Sequence, residues 1–111
     1  MIGKRVLIGH CGVDSGQIMI TDPCYMIDDG FTEAEYEKVC DITLSEDYAG
    51  PLMYEKGHEG KAVALRAGIG DGYYPVYAIY GYIEGFGERI LGVEVDFTVH
   101  PWLEEVEEEE E

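Results

Sequence analysis

The chain has 111 residues, 46% of them hydrophobic, which is enough for one folded core and too apolar for disorder. It carries 24 acidic against 7 basic side chains, a formal charge of -17, so phosphate repulsion excludes direct nucleic-acid binding through a basic patch. No run approaches the ~20 apolar residues of a membrane span, and three cysteines without C-x-x-C spacing match none of the common zinc motifs.

Seven of the acids fall in the last eight residues, Glu104 to Glu111, yet the body keeps 17 acidic against 7 basic side chains, or -10. The expected organisation is one β-rich domain over residues 1–103 and a solvated acidic tail over 104–111. The apolar run near the N-terminus is too brief for a signal peptide, so Cys11, Cys24 and Cys40 are expected to be free thiols in a reducing cytoplasm.

In chain order, Lys4 to His10 reads as a first strand ended by Cys11-Gly12. Ser15 to Thr21 alternates Gln17, Met19 and Thr21 against Ile18 and Ile20, the period of a half-buried second strand. Asp14-Ser15-Gly16 supplies turn chemistry before it. Asp22-Pro23 stops it, because proline has no N–H for the ladder and holds its predecessor extended. Thr32 and Glu35 form a capping box with Phe31 and Tyr36 in staple positions, which predicts a short helix over about residues 32–41. Residues 42–60 read as an extended loop with at most one short strand.

From Lys61 onward the pattern predicts a meander. Val63, Leu65, Ala67 and Ile69 share a face of a third strand, and Gly70-Asp71-Gly72 carries the chemistry of a type I′ hairpin turn. Tyr73 to Glu84 makes a fourth strand, and Gly85-Phe86-Gly87 turns into a fifth, Glu88 to His100. There Leu91, Val93, Val95, Phe97 and Val99 alternate with Gly92, Glu94, Asp96 and Thr98. Pro101-Trp102-Leu103 is expected to anchor the chain end. The predicted fold class is mainly β (α+β), a small antiparallel sheet or partly open barrel or sandwich with one short helix.

Three features carry chemistry. Five of the nine tyrosines lie between Tyr73 and Tyr82. Tyr74, Tyr80 and Tyr82 share one face and Tyr77 the other, either as a packing ladder or as an aromatic recognition surface. Asp14, Asp22 and Asp71 sit at turns, where carboxylates cap backbone amides; gathered at one end of a sheet they would suit calcium or magnesium. Cys24 follows the proline turn. It reads as a small, interior, inert cysteine, and as a nucleophile only if a base such as His10, His58 or His100 holds it as thiolate. The glycines of Gly68 to Gly72 precede a strand, so the helix N-terminus that makes a phosphate loop work is missing.

VDSGQIMITDPCY at Val13 to Tyr25, with GDGYYPV at Gly70 to Val76, resembles a family of small bacterial and phage proteins. That family pairs a V-D-[SA]-G…D-P-C-Y element with a G-D-G-x-Y-P-V element. It carries no established activity, so the resemblance implies a β-rich fold and a prokaryotic or viral cytoplasmic setting. It also implies that the two motifs meet, bringing Asp14, Asp22, Cys24, Tyr25, Asp71 and Tyr74 together as a binding site or as a cluster of structural turns.

The leading expectation, drawn from the tyrosine-bearing strand, is a small acidic cytoplasmic domain that acts by binding a partner the sequence does not name, a cationic protein being one candidate, with no catalytic residues, cofactor, nucleic acid or membrane assigned. Two alternatives stand beside it: a phosphate-mimicking inhibitor of a basic nucleic-acid-binding protein, and a metal- or thiol-dependent enzyme built on the aspartates or Cys24. Pairing of tyrosine-rich edge strands between copies would give a homodimer.

Overall fold

The computed structural model describes residues 3–27, 31–53 and 59–99. His58, His100, the Pro101-Trp102-Leu103 anchor and the acidic tail lie outside the described residues. The elements are β1 (Lys4–Val13), β2 (Gln17–Thr21), a single 3-10 turn (Pro23–Met26), α1 (Glu33–Thr43), β3 (Ala49–Met53), β4 (Glu59–Arg66), β5 (Gly72–Ile83) and β6 (Gly87–Val95). The molecule is mainly β with one α-helix, as the alternation and the capping box require. Two small antiparallel sheets replace the single meander, in the orders β1-β5-β6 and β2-β4-β3. Each belongs to its own compact unit, Met1–Val13 with Gly72–Glu111, and Asp14–Asp71.

In the first unit β5 is the central strand and pairs with β1 and β6 on its two sides. Both of its backbone edges are therefore occupied from Val76 to Tyr80. The tyrosines divide as their alternation predicts. Tyr74 is fully buried beside the equally buried Ala78, and its ring meets Phe97 edge-on at 5.2 Å. Tyr77 lies on the opposite face, where the Arg5 guanidinium stacks 3.5 Å above its ring and reaches Glu94 through Nε at 3.0 Å.

The fifth strand departs from its expected form. It ends at Val95, and its pairing slips at Leu91, which has no partner on β5. A bulge of this kind interrupts a period of two, so the five-residue apolar face is not continuous; Val93 and Val99 are each more than half exposed. Beyond Val95 the Asp96 carboxylate accepts hydrogen bonds from the Thr98 N–H and hydroxyl, which turns the chain. The turn at Glu84-Gly85-Phe86 forms as expected, with positive φ at Gly85 and Gly87.

In the second unit α1 packs on β3 and β4. Its start follows the local code: Thr32 Oγ1 accepts from the Glu35 N–H at 3.2 Å, and the Glu35 carboxylate accepts from the Thr32 N–H at 3.4 Å. Phe31 and Tyr36 close the staple with rings 6.5 Å apart. The helix runs to Thr43, two residues past the predicted end at Asp41. Val39 and Leu52 pack with Ala62 and Ala64, and Met19, Phe31 and Ile42 complete the cluster. Fully burying a side chain the size of Val or Leu stabilises by ~1.5–3 kcal/mol, so this small cluster supplies much of what holds the helix down.

Val63 and Leu65 share a face of β4, but the strand ends at Arg66, short of Ala67 and Ile69, and that face is not the buried one: the buried face is Ala62 and Ala64, while Val63 is half exposed. Small side chains let the helix approach the sheet, and that approach outweighs the larger apolar area of Val63, Leu65 and Ile69. Gly70-Asp71-Gly72 does not close a hairpin either, because β4 and β5 join different sheets. Pro51 is accommodated because β3 is an edge strand, paired to β4 alone.

Candidate functional site

The predicted site residues divide into three places. Asp14 and Asp71 lie at one end of the β2–β4 ladder. The Gly16 carbonyl accepts from the Ala67 N–H at 2.9 Å, and a Cβ at Gly16 would stand 3.8 Å from both Asp71 Oδ1 and Gly70 Cα. The first aspartate turn and the Gly-Asp element therefore lie close together, while the rest of the two motifs does not join them. Asp22, Cys24 and Tyr25 lie at the other end of β2, roughly 20 Å along an extended chain from Gly16. Tyr74, fully buried in the first unit, has no surface to offer a ligand.

Asp22 caps the 3-10 turn, its Oδ1 accepting from the Cys24 N–H at 3.0 Å, and that bond holds its carboxyl below the usual range. Cys24 is exposed, not interior as expected, and no residue of its 3-10 turn is buried. The Asp22 carboxylate pushes its thiol up, the reverse of what a nucleophile requires. His10 stacks on Tyr73 with ring centroids 4.8 Å apart. Among the described residues no group of three His, Cys, Asp or Glu side chains is close enough to hold a metal ion. The three aspartates do not gather into a cation site.

The concave feature of the second unit involves different residues. A cleft of about 310 Å³ opens between the C-terminal half of α1 and the loops that flank β2 and follow β4. Gln17 and Met19, not Ile18 and Ile20, form the face of β2 turned to the helix. The Gln17 amide accepts from the Thr43 hydroxyl at 2.6 Å and donates to Cys40 Sγ at 3.5 Å. Arg66 is the sole charged side chain on the cleft wall, and Tyr36, Leu44 and Ile69 form its apolar part. Tyr48, at φ 59°, accepts the Arg66 N–H at 2.9 Å through its carbonyl and lies under the guanidinium at 4.4 Å.

Sequence reasoning missed Gln17, Cys40 and Arg66. A lone glutamine in an alternating strand reads as solvent-facing, and the three residues come from separate elements with no shared spacing. The legible hint was Thr43, a hydroxyl one helical turn after Cys40.

Both units are acidic: residues 14–71 hold thirteen acidic and four basic side chains, and residues 1–13 with 72–111 hold eleven and three, seven of the eleven within residues 104–111. On α1, Glu33, Glu37 and Asp41 are exposed at i, i+4 and i+8, and the exposed Glu46-Asp47 follows the helix. No described helix is long and apolar enough to cross a membrane. No family model, curated protein or solved structure matches the chain.

Proposed function

We propose that the protein acts by binding a cationic protein partner through the acidic stripe of α1. The observation that carries this reading is the alignment of Glu33, Glu37 and Asp41 on one exposed face of the helix. Like charges at i, i+4 on a helix cost about 0.2–0.5 kcal/mol per pair; Glu33 in the first turn is favoured by the helix dipole, whereas Glu37 and Asp41 lie beyond that turn. Carboxylates one helical turn apart present a row of negative charge that steers and orients lysine- or arginine-rich surfaces.

The test is capture from a bacterial lysate on the immobilised full chain, at low and at high salt. A specific cationic protein is retained at low salt, released as screening shortens the reach of the charges, and lost in Glu33→Gln/Glu37→Gln/Asp41→Asn. Circular dichroism confirms that the variant keeps its helix. Equal retention by wild type and variant overturns the reading.

The same row of three exposed carboxylates supports phosphate mimicry as a second reading. That reading requires the captured protein to bind nucleic acid, and duplex DNA to displace it from the column.

A further inference from the structure

We infer that the cleft of residues 14–71 is a binding site for a small organic carboxylate that carries an apolar group. The inference is independent of the acidic stripe and rests on the cleft wall. Its volume, about 310 Å³, falls at the small end of the range that ligand pockets occupy. Among the described carboxylates none is on the cleft wall, the nearest being Asp71 behind Gly16, and the single charged residue on that wall is Arg66.

Arg66 is held ready for such a ligand. Its backbone is fixed on both sides, by the Tyr48 carbonyl and by the Gly68 N–H, and its guanidinium carbon lies 4.4 Å from the centre of the Tyr48 ring. The guanidinium makes no ion pair with any described carboxylate. A planar guanidinium fork matches the two oxygens of a carboxylate. Tyr36, Leu44 and Ile69 are all more than two-fifths exposed, so an apolar group seated against them removes hydrocarbon surface from water. Ser15 and Gln17 also line the cleft, with the Gln17 amide held by Thr43 and Cys40.

Two features favour a monoanion over phosphate. The cleft wall offers one cation, and the helix end it contains is the C-terminal one, at Cys40, Thr43 and Leu44. That end carries partial negative charge and disfavours a dianion.

Hexanoate and its neutral counterpart hexanamide are the probes, with inorganic phosphate as a third arm, at about 0.15 M salt to screen the overall charge. Two readouts are taken on the full chain: amide chemical shifts, and alkylation of each cysteine by iodoacetamide resolved by mass spectrometry. Cys40 lines the cleft and Cys24 lies at the far end of β2, so one thiol reports the site and the other is its internal control.

Hexanoate shifts resonances around the cleft and slows alkylation of Cys40 but not of Cys24, while hexanamide and phosphate do neither. Arg66→Gln weakens hexanoate binding about tenfold, the loss expected for a hydrogen-bonded charge. Arg66→Lys, which keeps the charge and loses the fork, falls between. Equal binding of acid and amide, tighter binding of phosphate, or equal protection of both thiols overturns the inference. So does unchanged affinity in a folded Arg66→Gln; should that variant not fold, Arg66→Lys and the wild-type comparison of acid with amide decide.

Discussion

Gly72 makes an instructive residue. In a Gly-Asp-Gly sequence its natural role is to supply positive φ for a tight turn, yet Gly72 begins β5, outside the left-handed region. What it supplies is space. A Cβ there would stand 2.7 Å from Cζ of Tyr74, two residues along on the same face, whose ring folds back over the glycine. Gly72→Ala is therefore expected to destabilise by about 1–3 kcal/mol, the range for overpacking a tight site. Gly9→Ala in β1, where a Cβ meets nothing within 4 Å, is expected to change stability by less than about 1 kcal/mol. Urea midpoints of the two variants measure the contrast. Tyr48 is the complementary case: a side chain kept at positive φ, where a non-glycine residue is disfavoured by about 1–2 kcal/mol, in a position that seats the Arg66 guanidinium.

Among the elements, α1 shows how local code and tertiary contact divide the work. Thr32 and Glu35 start the helix whatever surrounds it, and Thr32→Ala is expected to cost ~1 kcal/mol in thermal or urea unfolding. Glu35 also reaches across to Lys61 on β4, and both side chains of that ion pair are largely withdrawn from water. The hydrogen bond from Lys61 is the main reason the Glu35 carboxyl is held below its ordinary range. A group whose pKa is depressed by folding contributes stability that is complete above its unfolded value and disappears as pH falls through its folded value. The stability difference between wild type and Glu35→Gln is thus constant near neutrality and shrinks as pH drops below about 4, which urea titrations over that range will read. Beneath the helix, Leu52→Ala empties the centre of the small core and is expected to cost about 2–5 kcal/mol by the same measurement.

On the scale of the whole molecule, charge is the dominant condition. With -17 spread over 111 residues, self-repulsion opposes compaction, and added sodium chloride is expected to raise the melting temperature steadily by screening it. A melting temperature independent of salt between low and high ionic strength counts against that account. Much of the fold was legible before any coordinates: the strands and turns, the capped helix and the two faces of the tyrosine strand. Those signals are local, carried by residues one to four positions apart, and local spacing determines them. Sheet membership, the alanine face under the helix, the slip at Leu91 and the exposure of Cys24 were decided by tertiary structure. Each is a competition between distant segments for the same partner, and Asp-Gly at a strand end does not say which strand wins. The cleft follows the same rule. Arg66, Gln17 and Cys40 lie on a strand end, a second strand and a helix, and only packing α1 onto its sheet brings an arginine, an amide and a thiol to one wall.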